Sequence, residues 1–251
     1  MFSGLTFNVS EKDFLFDVKD VAIFRVIDGN KVLFCPYSGA DQKFIELILN
    51  GSVAGAVLHQ QQKLPFHGDS FVYKNKGVII CGCSGSGKSA VTAAFCKNGA
   101  QLISDDISPI SFRDMDIFLE PLKTKMKLWD DSIKELDISN ECLKRIRPAL
   151  NKYYVPHQTD REKHQLDRLI ILGVHNQPDY RTQKLFEFEK YNALRSQIYR
   201  KLYLKGMPET EKKYFKQLLQ IAQSIDVTMV WRPKICKIHE TMDFIKETLA
   251  L

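Results

Sequence analysis

Eight consecutive residues, Gly82-Cys83-Ser84-Gly85-Ser86-Gly87-Lys88-Ser89, fit the pattern G-x-x-x-x-G-K-[ST] in full. Three glycines let the backbone wrap closely, so successive N–H groups can point inward at phosphate oxygens. Lys88 can reach the outer phosphates of a nucleotide, and the Ser89 hydroxyl suits a hard Mg²⁺ ion. Asp105 and Asp106 follow, seventeen and eighteen positions beyond Lys88. At the end of a strand beside this loop, one carboxylate can serve Mg²⁺ and the other can accept a proton from an attacking hydroxyl. Adjacent strand residues face opposite ways, so bringing both acids in requires a turn at the strand end. His67 stands fifteen residues before Gly82 and precedes a glycine; by position alone it reads as an ordinary surface or structural histidine.

The flanking elements have the order such chemistry needs. Gly77–Cys81 reads as a buried strand entering the loop, and Ala90–Phe95 as the helix leaving it, with its positive end toward the anion. Phe66–Tyr73 reads as a strand reaching a turn at Asn75-Lys76-Gly77, and Leu102–Ile107 as a strand ending in the two acids. Asn98-Gly99 stops the loop helix. Short strands are expected around Ile110–Phe112 and Ile117–Leu119, with a buried strand at Leu169–Leu172 and another at Ile225–Val230. Helices are expected through Ile133 and Leu136, capped by Asp130, Asp131 or Ser132, and over 185–205, 209–224 and 238–250. Before the core, Val21–Ile27 and Lys31–Phe34 flank the turn Asp28-Gly29-Asn30 as a hairpin. A short helix near Phe44–Ile48 is interrupted at Gly51 and followed by another from Val53, and Pro65 closes a polar connector. The organisation predicted is α/β, with a small β-rich N-terminal module over 1–60 and a P-loop domain over 61–251.

Composition sets the limits. A chain of 251 residues with 44% hydrophobic and 26% charged residues can bury a sizeable core. A net charge of +6 suits an anionic partner without choosing one. The six cysteines, Cys35, Cys81, Cys83, Cys96, Cys142 and Cys236, contain no C-x-x-C pair and read as isolated thiols. The first residues lack a signal peptide's basic and apolar regions, and no apolar run approaches a membrane span, so a cytoplasmic protein is expected. No RNP-like aromatic pair or second clamp loop points to nucleic acid. Between Arg181 and Lys216, ten Lys/Arg face four Asp/Glu, a charged face that is solvated or meets a partner.

His67-Gly68, the step of fifteen to Gly82, the glycine loop and Leu102-Ile103-Ser104-Asp105-Asp106 together resemble the catalytic domain of the HPr serine kinase/phosphorylase family, whose fold is related to phosphoenolpyruvate carboxykinase. The resemblance implies that His67 sits at the phosphoryl-transfer centre, that Asp105 is the base for a serine hydroxyl, and that Asp106 stands on the Mg²⁺ side. Bifunctional members usually carry an acid directly after the loop serine, where this chain has Ala90, and a charged residue where it has Cys83. The stretch linked to their phosphorylase activity is not recognisable after Asp106. More of the chain is similar to compact peptide-tailoring relatives, including lasso-peptide kinases, through Asp41, Leu58-His59-Gln60, Lys127-Leu128-Trp129, Tyr199-Arg200 and Trp231-Arg232-Pro233. That similarity implies an acceptor serine near a peptide C-terminus, and it leaves a homo-oligomer open.

The expected activity is ATP- and Mg²⁺-dependent transfer of the γ-phosphoryl group to a serine-type hydroxyl on a peptide or small protein. Lys123, Lys125, Lys127, Arg145 and Arg147 are candidate contacts to phosphate or an acidic acceptor, and Arg232 can frame the nucleotide. A small-molecule kinase, an ATP-driven module and a nucleotide-regulated binding protein without enzymatic activity are the competing readings.

Overall fold

The computed structural model describes residues 5–122, 125–139, 141–147, 150–157 and 160–250. The chain forms two compact units. One holds the residues up to Pro65 together with Ile198–Leu218, and the other holds Phe66–Gln197 and the residues from Leu219 onward.

The first unit begins with four antiparallel strands in sequence order: β1 Leu5–Val9, β2 Asp13–Val18, β3 Ala22–Ile27 and β4 Lys31–Pro36. Asp28 and Gly29 both take positive φ (51° and 65°), which a tight turn compatible with strand twist requires. Strict alternation buries Ala22, Phe24 and Val26 and exposes Ile23 and Arg25, so one face of the sheet is core. Helix α1 (Gln42–Ile48), whose N-cap Asp41 accepts a hydrogen bond from the Lys43 N–H at 2.9 Å, supplies Ile45 and Ile48 to that core. The interruption expected at Gly51 does not occur. Leu49–Val53 forms a π-helical turn, and the chain stays helical into α2 (Ala54–Gln60).

Inside this unit His59 is fully buried, with Nε2 at 2.8 Å from the Tyr199 carbonyl. A carbonyl only accepts, so Nε2 carries the proton, and burial pushes the imidazole down to about 4. The folded His59 stays neutral while the unfolded one takes up a proton as pH falls below about 6.5. Its stability contribution is therefore complete above about 6.5 and is lost as pH falls to about 4, a difference of at most about 3 kcal/mol. Urea unfolding of His59→Gln between these pH values should show a markedly flatter pH dependence than the parent. Equal slopes would remove the histidine from the acid response.

In the second unit β5 (Leu64–Tyr73, whose first two residues belong to the first unit) runs antiparallel to β6 (Lys76–Cys81). Helix α3 (Lys88–Lys97), β7 (Gln101–Ser104), β8 (Ile107–Arg113) and β9 (Asp116–Leu119) follow. A separate small sheet joins β10 (Met126–Trp129), which enters helix α4 (Asp130–Glu135), to β11 (Lys144–Arg145) and β12 (Lys152–Val155). The main sheet is completed by β13 (His164–His175) and β14 (Arg181–Lys184), and after helices α5 (Glu187–Ser196) and α6 (Pro208–Ser224, whose residues up to Leu218 belong to the first unit) by β15 (Asp226–Pro233); α7 (Ile238–Leu249) ends the unit. Its order is β14-β15-β13-β6-β5-β8-β9, with β7 on β5 and β9 also meeting the start of β13. The fold is α/β with a mixed sheet. β6, β13 and β15 are parallel, and Val78–Cys81 is wholly buried, which is why it reads as an unbroken apolar run. Val91, Phe95, Met242 and Ile245 join α3 and α7 to the same core as Ile80, Ile170 and Val230.

Three further expectations change, and one strand was not expected. The helix expected over 185–205 ends at Ser196; beyond it Arg200 takes a left-handed φ of 51° and the chain continues as a 3₁₀ turn, Lys201–Gly206, leaving Leu202 exposed. Pro65 lies inside β5 rather than before it, its carbonyl accepting from the Tyr199 N–H at 2.9 Å. None of the three proposed residues caps α4; Trp129 occupies the N-cap position without a side-chain bond, and Asp130 and Asp131 sit in the first turn. The polar, exposed edge strand β14 carries no apolar signal to announce it. All six cysteines are free. Among the described residues no helix is long and apolar enough to cross a membrane.

Candidate active site

The parallel strands β6, β13 and β15 deliver their carboxyl ends to one edge of the sheet, where open α/β sheets place ligands. β5, antiparallel to β6, arrives there by its amino end, and β7, antiparallel to β5, by its carboxyl end. Gly68 pairs with Cys81 at the last position of β6, and Ser104 at the end of β7 pairs with Ser70. His67 and the acids after Ser104 therefore meet beside the loop that follows Cys81. Gly68 permits this approach, since a Cβ there would stand 2.6 Å from the Ile80 carbonyl oxygen.

In the loop Gly82, Gly85 and Gly87 take φ of 143°, 84° and 97°, values that side chains rarely adopt. A Cβ on Gly82 would also lie 2.3 Å from the Leu172 carbonyl. Lys88 is buried, and its Nζ donates to the Gly82 and Cys83 carbonyls at 2.8 and 3.1 Å. The Ser86 Oγ is buried without a hydrogen-bond partner. α3 starts at Lys88 with Gly87 as its N-cap, so the positive end of a ten-residue helix closes the loop. Arg232, at the end of β15, donates from Nε to the Ser86 carbonyl at 2.7 Å and so braces the loop from the neighbouring strand. A loop with three positive-φ glycines, a buried serine hydroxyl without a partner, a lysine and a helix start together fit a phosphate chain.

Between β7 and β8 the chain makes a three-residue γ-turn. The Ile107 N–H donates to the Asp105 carbonyl at 2.9 Å, and Asp106 sits at φ 71°. Such local strain persists only where the surroundings hold it. Here the Asp69 Oδ1 accepts the Asp106 N–H at 2.7 Å, and the Asp106 carbonyl lies 3.2 Å from His67 Nδ1. That carbonyl makes Nδ1 the protonated nitrogen of a neutral His67. The turn separates the two acids. Asp106 lines the cleft, with its carboxylate 3.5 Å from both His67 Nδ1 and Lys127 Nζ. Asp105 is 1% exposed and is not among the lining residues.

Electrostatics widens the separation. Burial, reinforced by the Asp69 charge, pushes Asp105 well above the usual carboxylate range. For Asp106 burial acts in the same sense, but Lys127, His67 and Lys152 outweigh it and hold the group below that range. Burial, with the Lys88 charge behind it, lowers His67. One acid is ionised in the cleft beside a neutral imidazole, and the other is an acid of the interior.

The cleft has a volume of about 460 Å³. Its walls include Ser84, Lys88 and Ser89 from the loop and helix, Lys127 and Trp129 from β10, Lys152 from β12, and Arg232, Lys234 and Lys237 around the end of β15. Of the proposed cationic contacts, Lys127 and Arg232 reach it. Lys125 lines a separate hollow with His157, and the Arg145 Nε donates to the Tyr153 hydroxyl at 3.0 Å. Arg147 is not among the cleft-lining residues, and Lys123 lies outside the described residues. Two of the outlying similar segments meet each other in the first unit through the His59–Tyr199 contact. Two others, at Lys127–Trp129 and Trp231–Pro233, contribute to the cleft.

Asp69 is the residue that sequence reasoning missed. A carboxylate two positions from His67, on the same face of an otherwise apolar strand, was its signal. Among the described residues no cluster of three or more His, Cys, Asp or Glu forms a metal cage. Mg²⁺ on a nucleotide needs none, because it keeps waters and phosphate oxygens and takes only one or two protein groups.

No family model matches the sequence, and no curated protein matches it. Among solved structures, that of the Hpr(Ser) kinase/phosphatase from Coxiella burnetii aligns with 75% of this chain and 95% of that chain, at 16% identity and a TM-score of 0.36. A similarity at that level assigns neither a family nor a role to any residue, so the site rests on its own geometry.

Proposed function

We propose that this protein is an Mg²⁺-dependent kinase that transfers the γ-phosphoryl group of ATP to a serine-type hydroxyl of a peptide or small protein. The observation that supports it most is the meeting, in one cleft, of the Gly82–Ser89 loop with ionised Asp106 and neutral His67. The loop amides and Lys88 bind the phosphates, and Ser89 offers its hydroxyl to the metal. When bound, Mg²⁺ neutralises phosphate charge developing during transfer. Asp106 orients the acceptor hydroxyl and takes its proton, while His67 and Lys127 hold the carboxylate in place.

This reading moves the base from Asp105 to Asp106. A base must reach the acceptor, and Asp105 is buried beside Asp69. A low pKa is no obstacle to Asp106, because phosphoryl transfer has a loose transition state in which alignment matters more than base strength. On the same residues we place the chain with the compact peptide-tailoring relatives of the HPr serine kinase/phosphorylase family, with a P-loop kinase core and a small N-terminal module.

Incubation with γ-labelled ATP and the peptides encoded beside its gene tests the proposal. Label on a peptide serine supports it. Unlabelled peptides with folded enzyme overturn the peptide acceptor: label on a metabolite then identifies a small-molecule kinase, released phosphate an ATPase, and bound but intact ATP a nucleotide-regulated binding protein.

A further inference from the structure

Asp69 is fully buried on β5, one strand from the loop, yet its two oxygens face different parts of the site. Oδ1 accepts the Asp106 N–H at 2.7 Å and thereby anchors the γ-turn that presents Asp106 to the cleft. Oδ2 is buried without a closed hydrogen bond, and the side chain of Ser89 and the charge of Lys88 act on the same carboxylate. A buried carboxylate oxygen with an unused lone pair beside a hydroxyl is a vacant acceptor, and hydroxyls rotate to fill such places.

We propose that Asp69 is the positioning residue of the metal side of the site: Oδ2 accepts the Ser89 O–H, turning the serine's lone pairs toward Mg²⁺, while Oδ1 holds the Asp106 turn. One carboxylate thus sets the spacing between the group that meets the metal and the group that meets the acceptor. Second partners of this kind orient ligands that cannot orient themselves. Asp69 touches neither substrate, so its effect passes through Ser89 and Asp106. The inference rests on the nucleotide-binding reading above.

Binding of a fluorescent ATP analogue, with Mg²⁺ and with EDTA, tests it. Asp69→Asn keeps an oxygen for the Asp106 N–H, but if its NH₂ faces Ser89 the acceptor for the serine proton is lost. Affinity in EDTA should stay within about twofold of the parent, while the gain on adding Mg²⁺ should shrink by about 10- to 100-fold. Ser89→Ala should show the same loss, and the double variant should be no worse than either single one, because both remove one interaction. Asp69→Ser runs the same cycle if D69N melts at the assay temperature. A full Mg²⁺ gain in D69N, or additive losses in the double variant, overturns the role of Asp69. Failure of the parent to bind the analogue in any condition overturns instead the nucleotide reading itself.

Discussion

Lys88→Ala is expected to lower kcat/KM for ATP by roughly 10²- to 10³-fold, the scale of losing a buried electrostatic contact to transferring phosphate. The lysine does two things at once. Its charge sits inside the glycine loop, and its Nζ ties the Gly82 and Cys83 carbonyls together. Lys88→Arg separates these functions, since it keeps the charge while its planar head cannot occupy the same compact site. Both variants should lose most activity if point placement matters, and thermal melts without nucleotide would show whether the loop's internal bonds also support the fold. ATP turnover of K88A within threefold of the parent would refute the phosphate role of the loop.

Asp106→Asn should reduce kcat by about 10²- to 10⁴-fold and leave KM for ATP nearly unchanged. Asparagine tolerates positive φ at least as well as aspartate, so the turn at φ 71° survives and only the carboxylate is tested. Asp105→Asn is the paired control. Asp105 is already pushed toward its neutral form by burial, so the amide should change turnover much less than D106N does. The opposite order of effects would return the base to Asp105. Single-turnover measurements separate the chemical step from product release and decide between them.

The outer elements illustrate where periodicity ends as a guide. Tyr191, Leu194, Ile198 and Leu202 keep helical spacing, yet the helix stops before Ile198 because the chain there passes from one unit to the other. Spacing records which faces are apolar, and it cannot say which core each residue joins. Tyr203 joins the core of the first unit with Phe14 and Phe24, although nearly two hundred residues separate them along the chain. Lys190 is a second example. In sequence it belongs to a charged, solvated face, whereas in the fold its buried Nζ donates to the Ala222 and Ile225 carbonyls at the end of α6.

The loop and its flanks were legible because local rules determine them: glycines where φ must be positive, an apolar strand before, a helix after, a Lys-Ser pair at fixed offset. The adjacent acids were legible as a pair for the same reason. Their unequal surroundings were not, because the γ-turn at Asp106, the burial of Asp105 and the approach of Lys127 depend on strands distant in sequence. Asp69 was hidden for a related reason, since the anchor between Ser89 and Asp106 exists only once β5 lies between β6 and β8. Local sequence determined which groups the site contains. Tertiary structure decided which acid faces the cleft, because solvation and the field of neighbouring charges are properties of the folded arrangement.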